Sequence, residues 1–510
     1  LAVPATTLRD LIAAGADTAA ALSSPGGKPL TFAGLRALAD RTTADLNARG
    51  IGRGDRVAIV LPNGPEMAAA FIAVAAGTTS APLNPAYKAD EFEFYLNDLR
   101  ARVLVVAQGS DSPAVAVAEK LGMAVARLTP TPDEGAGSFT LAFAGEAGEP
   151  AAQGGPAEAG DTALVLHTSG TTSRPKIVPL SQGNVCASAR HIRESLAFTA
   201  EDRGLNIMPL FHIHGLIAGI LAPLSAGGQV YCTPGFNALK FFAWMEEVKP
   251  TWYTGVPTMH QAILGRAARN REIIAGSPLR FIRSSSASLP PQVLRELEET
   301  FGAPVVEAYG MTEAAHQMAC NPLPPKKNRP GSVGLAAGPE IAVVGADGEP
   351  LPTGETGEIV IRGPNVMAGY ENNEKANSEA FTRQGWFRTG DQGTLSEDGY
   401  LTITGRLKEI INRGGEKISP REVDEILLDH PAVLQCVTFA LPHDKLGEEV
   451  AAAIVLREGQ AAEEKEIRGF ASERLAAFKV PARILILDEI PRGATGKLQR
   501  IGLAEKLGLV

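Results

Sequence analysis

The chain has 510 residues, with 48 Lys and Arg against 57 Asp and Glu and a net charge of −9. At about 150 residues per domain this length implies two to four packed units, and 45% hydrophobic with 21% charged residues excludes a collagen-like or largely disordered chain. The acidic balance argues against broad binding to nucleic-acid backbones or anionic membranes, so neither is expected as a partner.

At the start, LAVPATTLRD holds no apolar targeting core, its lack of Met points to a trimmed start, and the closing LGLV is not a peroxisomal SKL signal. The most apolar runs, 68–77 and 213–222, fall short of the ~18–20 residues that span a bilayer, and Pro223 follows the second. Cys186, Cys232, Cys320 and Cys436 are far apart and lack CxxC spacing. No zinc site or disulfide framework is expected, and a reducing, cytoplasmic setting fits.

In chain order, apolar runs at 56–61 and 102–106 read as buried strands and 89–99 as a helix, the alternation of a layered α/β fold. Residues 129–138 and 145–161 are rich in Gly, Pro, Ala and acids, and the second reads as a surface linker. Segments such as EIVIRG and GYLTITG between 354 and 400 predict short antiparallel strands. Beyond Arg406 the pattern changes again. Helices at 420–429 and 463–475 and strands at 433–440, 450–455 and 483–487 make a separate α+β domain, giving a large part over 1–406 and a small one over 407–510.

Residues 164–179, LVLHTSGTTSRPKIVP, leave an apolar strand and pack hydroxyls, a glycine and cations between Thr168 and Lys176. Backbone amides and hydroxyls donate to phosphate oxygens and a lysine neutralises them, so Thr168, Ser169, Gly170, Thr171, Thr172 and Lys176 form a phosphate-loop candidate. Pro175 and Ile177 flank the lysine, which excludes a Walker A loop. Read alone, the stretch is equally a solvated turn.

Further motifs follow in order: YGMTE at 309–313, TGD at 389–391, Gly405-Arg406 before LKEIINRGGEKISP, and PRGATGK at 491–497. Together they resemble the adenylate-forming superfamily of acyl-CoA synthetases, carrier-loading adenylation domains and beetle luciferases, from about residue 30 to residue 500. The resemblance implies a large layered α/β N-terminal part with a small mobile C-terminal domain. It implies carboxylate activation by ATP with Mg²⁺, and acyl transfer to a thiol such as that of CoA.

Residue by residue, the resemblance gives Lys497 the bridge between carboxylate and α-phosphate, Thr312 a donor to that phosphate and Glu313 the Mg²⁺. It gives Asp391 and Arg406 the ribose, and Tyr309, with Glu307 and Ala308, the adenine. Lys408 would be the hinge of the small domain, and Gly414 and Gly415 would line the thiol tunnel. The acid pocket would involve His212 of PLFHIHG, Ser285 and Ser286 of SSSAS, and His316 of TEAAHQM. His212 joins Lys497 and Thr312 as a candidate catalytic residue. Read without the family, Asp391 is a turn residue, Tyr309 a strand aromatic and Gly414-Gly415 an ordinary turn.

Hydroxyls and an imidazole in place of glycines point to a small polar acid. TTSRPK, PLFHIHGL, SSSASL and a His three residues past Glu313 resemble the oxalate–CoA ligase branch, where His316 would hold the second carboxylate. The sequence leaves the side chain of Arg283 either beside this pocket or in solvent, and Ile177 is expected to stiffen the loop after Lys176. Alternatives are a ligase for malonate, a medium-chain or an aryl acid, a stand-alone carrier-loading enzyme, and a nucleotide-binding regulator without turnover. The presence of Thr312, Glu313, Asp391, Arg406 and Lys497 speaks against the last. The oligomeric state is left open.

Overall fold

The runs RVAIV and VLVVA form strands Arg56–Val60 and Val103–Ala107. Their side chains are buried almost throughout, which is why neither alternates apolar with polar. They belong to a computed structural model that describes residues 4–144, 149–168, 175–492 and 498–510. The chain divides into two units. One holds the residues up to Thr168, Pro175–Glu340 and Arg362–Ala380, and the other holds Ile341–Ile361 and Phe381–Val510.

The first unit carries two mixed sheets. In the seven-stranded sheet the spatial order is Phe139–Phe143, Ala124–Pro130, Val103–Ala107, Arg56–Val60, Thr79–Pro82, Thr162–Thr168 and Lys176–Ser181, with parallel pairing inside and antiparallel pairing at both edges. The expected surface linker joins two strands of this one sheet, Phe139–Phe143 and Thr162–Thr168. Its described part, 149–161, is stitched to the helix Phe32–Asn47 and the turn that follows: Ala151 N donates to Asn47 O (2.8 Å), and Arg53 binds Asp161 and Glu158. The Gly- and Pro-rich composition marked surface chain correctly but says nothing about what that chain connects.

The nine-stranded sheet has a parallel interior in the order Val305–Met311, Phe281–Ser284, Trp252–Gly255, Arg203–Asn206, Gln229–Cys232 and Ala20–Ser23. From Arg203–Asn206 the chain crosses to Gln229–Cys232 on one side and then returns to Trp252–Gly255 on the other. Two adjacent parallel strands thus send their connections in opposite directions, which opens a crevice at their carboxyl ends. The two most apolar runs sit in the core: Met67–Ala75 of the helix Pro65–Ala75 and all of the π-type stretch His214–Leu221 are buried.

The helix Gln182–Ser195 starts from a capping box in which Ser181 and Asn184 exchange hydrogen bonds of 3.0 Å. Asn184 Nδ2 also donates to Pro364 O (2.8 Å) and Val366 O (3.1 Å), which ties the segment 362–380 to this unit.

The second unit begins with an antiparallel sheet of Glu340–Val344, Gly357–Arg362, Phe387–Leu395 and Leu401–Arg406, as the sequence led one to expect. A second sheet follows, of Glu416–Ile418, Ile411–Arg413, Gly447–Leu456 and Val433–His443, with Arg483–Ile486 joining Gly447–Leu456 in parallel. The boundary read at 406/407 falls between these two sheets, inside the second unit. The apolar clusters of the later sheet draw only on residues from Ile411 onward, such as Ile418, Val423, Leu427, Val450 and Ile467.

Candidate active site

Four parallel strands of the nine-stranded sheet deliver chemistry at their carboxyl ends. After Arg203–Asn206 the chain turns, with Leu210 N held by Asn63 Oδ1 (2.8 Å), and presents Phe211, His212 and His214. Trp252–Gly255 brings Thr254, Phe281–Ser284 brings Arg283 and then Ser285 and Ser286, and Val305–Met311 brings Glu307 to Tyr309 and then Thr312.

His214 Nδ1 lies 3.0 Å from Ser286 Oγ and its Nε2 lies 2.7 Å from Thr254 Oγ1. Arg283 Nη1 donates to the same Nε2 at 3.2 Å. Its Nη2 donates to His316 Nε2 at 3.1 Å and to Gln317 Oε1 at 3.2 Å. The two imidazoles stack with centroids 4.8 Å apart and planes at 17°. Arg283 is 0% exposed, and burial pushes its pKa down to about 10, so it is still a cation at neutral pH.

Backbone strain concentrates here. Among the described residues seven non-glycine positions have φ in the left-handed region, and three of them are Ser286 (72°), Ala315 (47°) and His316 (96°). Such conformations cost about 1–3 kcal/mol each and persist where the surroundings dictate them. Gly310 shows one reason: a Cβ there would lie 2.0 Å from His316 O, so the close return of the chain past Tyr309 requires glycine.

A second cluster lies around Glu313. Its Oε1 accepts from Tyr370 Oη at 2.8 Å, its carbonyl accepts from Met367 N at 2.8 Å, and Lys176 Nζ sits 4.1 Å from the centre of the Tyr370 ring. Burial, with the Glu313 carboxylate beside it, raises the Tyr370 phenol well above its ordinary value and keeps it a donor. Lys176 and Glu313 are thus joined through one tyrosine. Among the described residues no group of three or more His, Cys, Asp and Glu forms a metal cage. A single carboxylate completed by nucleotide phosphates is a donor set that suits Mg²⁺, and Glu313 fits it.

Of the loop itself, Thr168 and Lys176 pair across the two strands, with Lys176 N donating to Thr168 Oγ1 at 3.4 Å. Ser169, Gly170, Thr171 and Thr172 lie outside the described residues, as does Lys497. Ile177 is a strand residue packed in the core beside Val165, not a loop residue, so its rigidity bears on the sheet edge rather than on the turn.

The AMP-binding enzyme model matches residues 11–371, and the AMP-binding enzyme C-terminal domain model matches residues 422–497. The chain belongs to the AMP-binding enzyme family. It is similar to the oxalate–CoA ligase of Arabidopsis thaliana, 47% identical over 486 residues that cover 94% of each protein. It is also similar to the oxalate–CoA ligase of Saccharomyces cerevisiae, 41% identical with 89% of this chain and 87% of that protein covered. The ATP-bound crystal structure of MatB from Rhodopseudomonas palustris matches it with a TM-score of 0.88, at 30% identity over 98% of both chains. The protein is an AMP-forming acid–CoA ligase, which uses ATP, Mg²⁺ and CoA.

In this AMP-binding enzyme the second unit places Asp391 and Arg406 opposite each other on paired strands, with Arg406 Nε donating to Asp391 Oδ1 at 3.1 Å. Lys408 is exposed in the turn that follows. Gly414 (φ 58°) and Gly415 (φ 98°) close the two-residue hairpin between Ile411–Arg413 and Glu416–Ile418, a turn that needs φ > 0 at both positions.

Of the expected acid-pocket residues, the structure brings Ser286 and His316 into the buried cluster. Ser285 is fully buried and its hydroxyl donates to Ala308 O at 2.9 Å, so Ser286 alone of the pair meets the imidazole. His212 lies beside Phe211, with ring centroids 4.6 Å apart and planes tilted at 47°. His214 and the inward placement of Arg283 were not read from the sequence. The available signals were the HIH repeat at 212–214 and a lone cation inside the apolar strand Phe281–Ser284.

Proposed function

We propose that this acid–CoA ligase activates oxalate. The observation that carries the reading is the buried ring of Arg283, His214, His316, Thr254 and Ser286 at the crevice of the nine-stranded sheet. A long or aromatic tail would lie against this charged, polar wall and leave the buried Arg283 cation without a counter-charge. A short acid with polar ends satisfies them. The names of the Arabidopsis and yeast relatives support the same acid.

In this reading a carboxylate oxygen of the acid attacks the α-phosphorus of ATP and the bond to pyrophosphate breaks. The CoA sulfur then attacks the acyl carbon and AMP leaves. Thr168 to Thr172 and Lys176 cradle the phosphates, Thr312 donates to the α-phosphate, and Lys497 spans carboxylate and phosphate as charge develops. Glu313 would hold Mg²⁺, which would supply charge neutralisation at the phosphates. Glu307, Ala308 and Tyr309 flank the adenine, Asp391 and Arg406 take the ribose, and His212 borders the acid.

Lys408 serves as hinge for a small domain over 407–510, whose separate apolar core supports that boundary, and Gly414 and Gly415 admit the pantetheine arm. No helix among the described residues is long and apolar enough to cross a membrane. Four buried thiols without a disulfide support a cytoplasmic setting.

The test is pyrophosphate release with ATP, Mg²⁺ and CoA against oxalate, malonate, acetate, octanoate and 4-coumarate. Oxalate should lead by orders of magnitude. A lead for octanoate or 4-coumarate would overturn the assignment of the acid.

A further inference from the structure

Arg283 poses an electrostatic problem that the fold leaves unsolved. Its guanidinium is fully buried, no carboxylate pairs with it among the described residues, and its Nε has no hydrogen-bond partner there. A buried cation normally comes with a counter-charge, because desolvation is costly. Here the partners are two imidazole nitrogens and one amide oxygen, all neutral.

Donor chemistry fixes the protons. Arginine can only donate, so Nε2 of His214 and Nε2 of His316 must both accept, and each neutral ring carries its proton on Nδ1. Nδ1–H of His214 therefore donates to Ser286 Oγ, 3.0 Å away, while the Thr254 hydroxyl at 2.7 Å and Arg283 Nη1 at 3.2 Å share the single Nε2 lone pair in a three-centre contact. With its oxygen accepting from the imidazole, Ser286 turns its own hydroxyl hydrogen outward. Ser286 is half-buried, at a strained φ of 72°, so it stands where a ligand can reach it. The array is a chain of oriented donors that begins at a fixed buried charge and ends at an accessible hydroxyl.

We propose that Arg283 is a positioning and specificity-determining residue that selects acids with a second negative charge, acting through His214, Ser286 and His316. The inference rests on the small-acid reading given above and deepens it. The guanidinium supplies the field that a dianion complements, and it also locks the imidazoles into the tautomers that aim Ser286 at the acid's distal end. A neutral group of the same shape gains nothing from that field.

The experiment uses the full chain and the pair oxalate and oxamate, which differ by one carboxylate exchanged for an uncharged carboxamide. ATP–pyrophosphate exchange gives kcat/KM for both acids in the wild type, R283M, R283K and S286A. The wild type should prefer oxalate by about 100-fold, the scale of an unpaired buried charge. R283M should bring the ratio to within about 3-fold, almost wholly through KM for oxalate and with KM for ATP unchanged, and R283K should restore part of it. S286A, at a half-buried position, should lower the ratio by about 10-fold, which keeps the test informative if R283M does not fold.

A folded R283M that keeps the full ratio overturns the proposal, as does an unchanged ratio in both R283K and S286A. If the wild type turns over malonate but not oxalate, the oxalate reading falls, and the malonate-to-malonamate ratio tests Arg283 in the same variants. If a monocarboxylate leads and no dianion reacts, both fall.

Discussion

Replacing Arg500 by Met should loosen the small C-terminal sheet by about 2–4 kcal/mol. Arg500 reaches Asp424 Oδ2 at 2.6 Å and Glu409 Oε2 at 3.1 Å, and donates to Thr438 O at 3.0 Å. The neighbouring carboxylates raise its pKa in spite of burial. Removing one partner of a buried pair costs about 3–5 kcal/mol, because the other charge is left desolvated. Two features lower that figure. Asp424 keeps the N–H of Thr438 at 2.6 Å, and the side chain of Glu409 is 19% exposed and can recruit water.

The pair tethers the stretch after Leu498, whose backbone bridges Arg492. Hydrogen exchange read by mass spectrometry on the full chain should show amides in Val433–His443 and Gly447–Leu456 exchanging about 30- to 1,000-fold faster in R500M. The strand Phe281–Ser284 should be unaffected. Adding Asp424→Asn should recover part of the loss, because the buried negative charge goes with it. Equal protection in R500M and wild type would refute the argument that this ion pair holds the sheet.

Three further outcomes are expected. His316→Ala should raise KM for oxalate at least 10-fold more than KM for ATP, and steady-state kinetics showing equal effects on both would remove His316 from the acid site. Tyr370→Phe deletes the hydroxyl that donates to Glu313 and should raise the Mg²⁺ concentration for half-maximal pyrophosphate exchange several-fold, on the order of 1 kcal/mol; an unchanged Mg²⁺ dependence would show that this bond does not position Glu313. Burial alone would raise the Glu449 carboxyl, but hydrogen bonds from Arg413 and the Val450 amide outweigh it and leave its pKa below the ordinary 4.5. Its contribution is therefore complete above pH 4.5 and lost as pH falls through the lower folded value. Urea unfolding should find Glu449→Gln less stable than wild type at pH 7, with the gap narrowing as pH falls below 4.5, and a gap that does not narrow at all in acid would contradict a carboxylate titrating in this range.

The reaction class was legible in the sequence because it depends on residue types at short spacing. A phosphate loop, YGMTE, TGD and a terminal lysine motif keep their meaning wherever the fold carries them, and uninterrupted apolar runs specify buried parallel strands by themselves. The antiparallel sheet after Gly354 and the α+β pattern after Arg406 were likewise local signals, one of period two and the other of period 3.6.

Other features were settled only by long-range pairing. Residues 149–161 read as a linker, yet they return to Asn47 and Arg53 through hydrogen bonds to residues about a hundred positions away. Ser285 and Ser286 are indistinguishable in SSSAS, but strand geometry points one hydroxyl at Ala308 and strain at the next residue turns the other to His214. Composition could not decide whether the Arg283 cation faces solvent or the interior, because one charged residue in a short strand is compatible with either. Its burial between His214 and His316 follows from the parallel packing of four strands, which sets their carboxyl ends side by side and turns scattered polar residues into one buried, charged cluster.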